Sequence, residues 1–225
     1  NDPYRYPNVN WLDETFKNSG ISNKYTLELR GGGSKFRYYT MLDLVTDRGF
    51  IGDGDTNGDY STQNKYSRAN LRTNMDIDVT ASTKLKVNIL GTLSESLAPG
   101  NNANLWDMIY TVPSAAFPVR AEDGTWGGNN TTWLGTQNPV AQSRGAGYAK
   151  GHMRSLLADL TLTQDLSLIT EGLGASFRIA YDNYSSILED HSMAYTYTGY
   201  SPTYDETTGA VYYTTTTGGE PTGMG

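Results

Sequence analysis

The chain has 225 residues, no cysteine and a formal net charge of −7 at pH 7. The lack of cysteine excludes disulfides and thiolate metal sites, and the acidic balance argues against nucleic-acid binding, because phosphate contacts need a basic face. Glycine and tyrosine are abundant, with 25 and 17 copies, which favours strands and turns over helices.

Targeting and membrane signals of the helical kind are missing from the sequence. No run of about 18 apolar residues occurs, so we expect no membrane-spanning helix. The start, Asn1-Asp2-Pro3, has neither the basic segment nor the apolar core of a signal peptide. We therefore expect either a cytoplasmic protein or an internal or mature piece of a longer one.

A helical turn and a first β-hairpin are predicted before residue 46. The turn begins at Trp11 and follows Asn10, a residue type that caps helix N-termini. Apolar residues then occupy odd positions, and after the stretch Gly31-Gly32-Gly33-Ser34 they occupy even positions. Because facing residues lie on one side of a sheet, the numbers of facing residues must sum to an odd value. We predict a two-residue type I′ turn at Gly32-Gly33, with Gly31 opposite Ser34.

A long polar loop follows over residues 47–65. It carries oxygen-bearing side chains at alternate positions, the spacing of a calcium loop, at Asp53, Asp55, Asn57 and Asp59. The bidentate glutamate expected at the twelfth position is replaced by Asn64, and no helix pattern flanks the loop. Calcium is therefore the one cofactor that the sequence suggests, and a solvated acidic loop without metal is the alternative.

The most regular pattern in the chain lies just beyond this loop. Apolar or small residues occupy odd positions over residues 71–79 and again over residues 85–93. This period of two predicts a second β-hairpin with strands of about a dozen residues. We predict a register that sets Asp78 opposite Lys86, since opposite charges on facing residues contribute about 0.2–1 kcal/mol.

The longest connection, residues 96–150, is rich in glycine, asparagine and proline and carries most of the tryptophans. A short helix is predicted from Leu105 to Val112. Flat aromatic rings can stack on sugar rings or pack on peptide side chains, and we single out Trp106, Tyr110, Trp126 and Trp133 as substrate or partner contacts. Packing inside the loop is the alternative for each of them.

A third hairpin and a weaker strand complete the pattern. Alternating residues over 152–182 predict the hairpin, and tyrosines near residue 195 predict the weaker strand. The predicted strands cover residues 23–31, 35–46, 66–80, 84–95, 152–165, 172–185 and 192–198. The connections between them are alternately short and long, with a last long loop from about residue 186.

This alternation predicts an all-β, antiparallel up-and-down meander. All short turns then lie at one end of the sheet and all long loops at the other, which is the asymmetry of outer-membrane barrels. A soluble β-sandwich also alternates apolar and polar residues along its strands. The pattern by itself leaves both architectures open.

Several segments of the chain match short motifs that occur together in one protein family. The segment from Pro7 to Glu14 resembles a "PNTDWxDE" stretch, and Leu29 to Tyr39 resembles a "VSGGSDKxRYY" hairpin. Tyr66 to Asp78 resembles "YxRxNxRxNxDxxxT", and Gln164 to Leu173 resembles a "QxLSxITxGL" turn. Arg48-Gly49-Phe50, Leu105-Trp106-Asp107 and Tyr181-Asp182 also fit, so the similarity runs in order along nearly the whole chain. With this ordered set of motifs the chain resembles the SusC/RagA-type TonB-dependent outer-membrane transporters.

The resemblance implies a particular fold and location. The chain would be an early part of a transmembrane β-barrel of about 22 strands, with short periplasmic turns and long extracellular loops at 47–65, 96–150 and from about 186. The family's plug domain, TonB-contacting segment and C-terminal strands are not matched by any part of this sequence. The expected location is the outer membrane of a Gram-negative bacterium.

The resemblance also implies a function and partners. The family imports oligomeric nutrients, glycans or peptides, with energy delivered through TonB and with a SusD-like surface lipoprotein as a lid. No covalent chemistry is needed, and no catalytic constellation is convincing, so we expect no enzyme. The polar alternate residues would face the lumen, namely Arg72, Asn74, Asp76, Asp78 and Lys86, and their apolar counterparts would face lipid.

The alternative hypothesis is a soluble β-sandwich that binds carbohydrate through Trp106, Trp126 and Trp133. It predicts that the face containing Leu71 is buried in a core between two sheets. The barrel hypothesis predicts that the same face contacts lipid. The exposure of Leu71 therefore separates the two hypotheses.

Overall fold

The structure is a computed structural model that describes residues 2–55, 60–100, 104–129 and 137–218. Its helices are α1 (Trp11–Thr15), α2 (Leu105–Thr111) and α3 (Pro139–Arg144). Its strands are β1 (Ile21–Gly32), β2 (Phe36–Arg48), β3 (Lys65–Asp78), β4 (Thr83–Pro99), β5 (Trp126–Gly127), β6 (Gly147–Asp165), β7 (Gly174–Ser192), β8 (Tyr197–Tyr204) and β9 (Val211–Gly218). None of the helices in these residues has the length and apolar character needed to cross a membrane.

The main sheet confirms the antiparallel meander. Six strands lie in the order β1-β2-β3-β4-β6-β7, and every neighbouring pair is antiparallel. The connections β1–β2, β3–β4 and β6–β7 are short and lie at one end of the sheet, which we call the turn end. The long connections β2–β3 and β4–β6 lie at the other end, the loop end.

The predicted parities are correct, but two predicted registers are wrong. In the second hairpin Asp78 faces Lys84 and Asp76 faces Lys86, a shift of two residues from the predicted pairing of Asp78 with Lys86. A shift of two keeps every side chain on its face, and here it forms two opposite-charge pairs in place of one. In the first hairpin the facing numbers sum to an odd value as predicted, but Gly31 faces Tyr38 instead of Ser34.

The weaker strand does not belong to the main sheet. The predicted strand 192–198 is replaced by β8, which pairs with β5 and β9 in a separate three-stranded sheet. The predicted loop from about residue 186 begins later, because β7 continues to Ser192 opposite the first residues of β6. Pairing between two 19-residue strands extends the ladder beyond the point where the alternation fades from the sequence.

A compact hydrophobic cluster, the loop-end core, forms from segments outside the main sheet. It contains Trp11, Leu105, Ile109, Val112, Phe117, Trp126, Val140, Ala141 and Tyr197. The Nε1 atom of Trp11 donates a hydrogen bond of 3.2 Å to the carbonyl oxygen of Pro113. Asn10 caps α1 as predicted, accepting from the backbone N–H of Asp13. The long β4–β6 connection is therefore a folded unit.

Candidate functional site

One face of the main sheet is apolar across all six strands. Facing pairs in the observed register place Leu27, Leu42, Leu71, Gly91, Leu156 and Asn183 in one row across the sheet. The rows toward the turn end are also largely apolar, with Met75, Val87, Leu160 and Ile179 in one and Phe36, Ile77, Leu85, Leu162 and Phe177 in another. We call this surface the apolar face.

The apolar face is open. The exposed fraction is 44% for Leu71, 58% for Leu93 and 60% for Phe177. Among the described residues, the loop-end core contains none from the six strands, so this buried cluster does not cover the face. A row of large apolar side chains left in water is unfavourable, and extended patches of this kind mark contact surfaces.

The apolar face forms a band of limited height. Along β3 it runs from Ala69 to Ile77, and along β4 from Leu85 to Leu93, which is about 27 Å at roughly 3.4 Å per residue. With strands inclined by about 40°, the band would be about 21 Å tall, close to the roughly 25 Å lipid-facing band of outer-membrane barrels. Toward the loop end the band gives way to polar and charged side chains.

The opposite face is mainly polar, with Met41, Leu90 and Leu157 in one of its rows, and all the residues predicted to face a lumen lie on it. Its rows contain Arg72, Asn74, Asp76, Asp78 and Lys86, together with Asn88, Asp159 and Arg178. The amide of Asn88 donates 3.1 Å to Asp159, and Arg178 lies 3.5 Å from the same carboxylate. A hydrogen bond and an ion pair thus join Asn88, Asp159 and Arg178 across three neighbouring strands of this face.

Asp43 is a polar-face residue that we did not single out from the sequence. It is buried and accepts a hydrogen bond of 3.0 Å from Thr26, with Lys24 and Arg68 at 3.9 and 3.5 Å. The sequence does indicate that Asp43 lies on the polar face, because it stands between Leu42 and Leu44 and so belongs to the polar parity of β2. Its partners on the two adjacent strands could not be assigned without the register.

The four predicted aromatic contacts occupy different environments. Trp126 is only 8% exposed and lies in the loop-end core, with the Arg120 guanidinium 3.3 Å above its ring. It therefore cannot offer a free ring to a large ligand while the core stays closed, because its faces are already packed. Trp133 lies outside the described residues.

Trp106 and Tyr110 are presented to solvent on α2. They are 51% and 74% exposed, and their ring planes differ by 16° at a centroid distance of 6.3 Å. Phe16 and Phe50 extend the cluster, with the Phe16 ring 4.6 Å from Trp106 and 4.9 Å from Phe50. We call these four rings the aromatic platform; it is the exposed part of the predicted contact set.

The two acids of the predicted calcium loop that lie within the described residues are ion-paired. Asp55 contacts Arg48 and lies 3.1 Å from Lys65, whereas Asp53 lies 3.2 Å from Arg144. Burial raises the pKa of Asp55, but hydrogen bonds from Arg48 and Lys65 outweigh it and lower the pKa to about 2. Asn57 and Asp59 lie outside the described residues. No group of three metal-ligating side chains occurs in the described ranges, and calcium binding by the whole loop stays a prediction.

Asn138 organises the loop-end core and was missed in the sequence. Its side-chain nitrogen donates to the carbonyls of Val119 and Gly127 at 3.1 and 2.9 Å, and its oxygen accepts from the first backbone N–H groups of α3. Asparagine directly before proline is a helix-start signal, so the cap could have been found. The bonds to Val119 and Gly127 depend on the tertiary fold.

No known protein-family model matches this chain. A search of curated proteins finds no significant match either. The two-faced sheet and the folded unit at its loop end are the features from which a function can be inferred.

Proposed function

We propose that this chain is part of an outer-membrane β-barrel transporter that imports oligomeric nutrients. The observation that carries the proposal is the apolar face, which continues over six strands and stays exposed while the reverse face is polar. An antiparallel sheet with apolar side chains facing lipid and polar ones facing an aqueous lumen has this arrangement.

Strand length and sheet edges support the same proposal. The strands of the main sheet have 12 to 19 residues, more than the roughly 9–11 that a tilted strand needs to cross the bilayer. Within the described residues no strand pairs with the outer edges of β1 and β7. Unpaired edges of such length invite further pairing, and in the proposed barrel additional strands of the same protein occupy them.

The soluble sandwich is the weaker candidate. It requires a second sheet packed on the face of Leu71, whereas the sheet formed by β5, β8 and β9 belongs to the loop-end unit and contributes Trp126 and Tyr197 to the core there. Leu71 remains exposed. Of its predicted sugar-binding tryptophans, Trp126 is buried and Trp106 is solvent-exposed, and Trp133 lies outside the described residues.

In the proposed transporter the loop end faces the outside of the cell. The aromatic platform is then the surface offered to an oligosaccharide, an oligopeptide or a SusD-like lipoprotein lid. Substrate would be captured between lid and barrel, and TonB would act on a plug domain to open the path. The proposal includes no catalytic step, in keeping with the expectation that the chain is not an enzyme.

Fractionation of cells that make the intact protein tests the proposal. We expect the protein in the outer-membrane fraction, resistant to carbonate and high salt, and released only by detergent. Detergent extracts should also contain a surface lipoprotein that co-purifies with it, and Trp106→Ala with Tyr110→Ala should reduce uptake of the substrate or recovery of the lipoprotein. Release of the folded protein by salt alone would contradict the membrane assignment.

A further inference from the structure

Three basic residues lie in a line along β6, on the same side of the sheet as the apolar face, and form a basic column. Lys150, His152 and Arg154 occupy alternate positions, so their side chains share that side of the sheet with Leu156 and Leu160. They begin where the apolar band ends. The column therefore stands at the boundary between apolar and polar surface, on the loop end.

Arg154 is the residue of this column nearest to the turn end, and it has apolar neighbours. It faces Leu93 on β4 and Ser185 on β7, and Leu156 follows it toward the turn end. Arg154 is exposed, and its guanidinium makes no side-chain hydrogen bond or ion pair with any residue in the described ranges. A guanidinium in such a place needs an anion from outside the chain, or water, to complete its contacts.

The nearby carboxylates are directed elsewhere. The Nδ1 atom of His152 lies 3.3 Å from Glu95, and its Nε2 atom lies 3.5 Å from Glu189. Glu189 also approaches His191 at 4.0 Å. These acids thus cluster around the imidazoles, and neither is ion-paired to Arg154 or Lys150.

A groove lies directly above the band, toward the loops. It has a volume of about 830 Å³; its lining includes Lys150, Thr46, Ser67, Asn23 and the carboxylate of Glu95, side chains of the same sheet side, and Tyr60 from the β2–β3 loop. Hydroxyl and amide groups beside an ammonium can bind the oxygen atoms of a polar headgroup. The groove and the apolar face form one continuous surface.

We propose that this surface binds a phosphorylated lipid of the leaflet at the loop end. Its acyl chains lie on the apolar face beside Leu93 and Leu156, its phosphate meets the guanidinium of Arg154, and its headgroup extends past Lys150 into the groove. Arginine suits this role because its fork of N–H donors matches phosphate oxygens. The inference rests on the proposed membrane orientation and adds a lipid class to it.

A lipid-selectivity measurement tests the proposal in the intact protein. A bimane label at Leu93→Cys, opposite Arg154, reports which brominated lipid lies beside it, and these 225 residues contain no cysteine that would compete for the label. The protein is reconstituted in phosphatidylcholine bilayers containing phosphatidylglycerol, and either lipid is brominated in turn. Arg154→Gln and Lys150→Gln are compared with Arg72→Gln, which removes the same charge from the polar face.

The expected result is preferential quenching by brominated phosphatidylglycerol. Arg154→Gln should lower that preference about fivefold, in line with the contribution of one cation at an anionic lipid surface. Lys150→Gln should lower it by a smaller factor, and Arg72→Gln should leave it unchanged. Circular dichroism and the bimane emission maximum establish that each variant is folded.

The results that would contradict the proposal distinguish failure of the phosphate site from failure of the proposed function. Strong and equal quenching by both brominated lipids would overturn the phosphate site while leaving the lipid-facing assignment in place. The same conclusion would follow if Arg72→Gln changed the preference as much as Arg154→Gln. No quenching by either lipid would mean that Leu93 does not face the bilayer, and the proposed function would then fail with it.

Discussion

The carboxylate of Asp55 lies 3.1 Å from the ammonium nitrogen of Lys65, the first residue of β3. The same carboxylate contacts Arg48, the last residue of β2, and lies 3.8 Å from Lys17 beyond α1. One acid thus ties the loop-end termini of two strands to the segment that precedes β1. This cluster makes the loop end sensitive to acid.

We predict that acidification loosens the β2–β3 loop between about pH 4 and pH 2. The pKa of Asp55 is about 2 in the folded protein and near 3.8 when the group is free, so its stabilisation is complete above pH 4 and is lost as pH falls through 2. The difference amounts to at most about 2 kcal/mol. Limited proteolysis with an acid protease, followed over this pH range, measures it.

Asp55→Asn is the matched variant for that experiment. It should make the loop as susceptible to the protease at pH 4 as the loop of the unaltered protein is near pH 2, and its susceptibility should then vary little between these two pH values. An Asp55→Asn protein with the full pH dependence would show that other acids control the loop.

A charge on the apolar face should impair membrane insertion. Leu71→Arg places a guanidinium near the middle of the band, at a cost of about 2–4 kcal/mol if that face meets lipid. Asn74→Arg, three residues along the same strand but on the polar face, should be tolerated. Folding titrations into bilayers in urea, or the amount of protein in the outer membrane, compare the two; equal effects would contradict the orientation.

The first turn should tolerate a methyl group at one glycine and not at the other. Gly32 has φ +151°, and a Cβ there would lie 2.2 Å from the carbonyl oxygen of Phe36, whereas a Cβ at Gly33 meets nothing within 4 Å. Gly32→Ala should therefore slow folding and lower stability, with little change for Gly33→Ala. Refolding rates followed by the heat-modifiable shift on electrophoresis provide the measurement.

Substitutions of Trp126 and Trp106 should affect different properties: stability for the first and binding for the second. Trp126→Ala removes a buried ring from the loop-end core and should destabilise that unit by about 3–5 kcal/mol. Trp106→Ala removes an exposed ring and should leave stability nearly unchanged while weakening the contact made by the aromatic platform. Hydrogen exchange of α3 and of β8 reports the first effect, and substrate or lipoprotein binding reports the second.

The strands and faces of the main sheet were largely predictable, because the sequence pattern that specifies them is local. A period of two identifies a strand and its faces within a few residues, so the polar set around Asn74 and the apolar set around Leu71 are as predicted. The register needed more than alternation, because a shift of two residues preserves the faces. The pairs Asp76–Lys86 and Asp78–Lys84 could have favoured the observed register, since they satisfy two charges on each strand.

The loop-end unit was not predictable in the same way. The hydrogen bond from Trp11 to Pro113 joins residues 102 positions apart, and Trp126 owes its burial to neighbours from several segments. No periodic pattern in the sequence predicts contacts of that kind. The Thr- and Tyr-rich stretch that forms β8 and β9 likewise lacks the apolar alternation of the main sheet.

The most direct test of the central claim is a cysteine scan along β3 in the intact, reconstituted protein. Spin labels are placed one at a time from residue 67 to residue 77, and their collision rates with oxygen and with a water-soluble nickel chelate are compared. The transporter account predicts alternation, with labels at odd positions such as 71 and 75 accessible to lipid-dissolved oxygen and labels at even positions accessible to the chelate. Odd-position labels that are shielded from oxygen, or that meet the aqueous reagent as readily as their even neighbours, would contradict it.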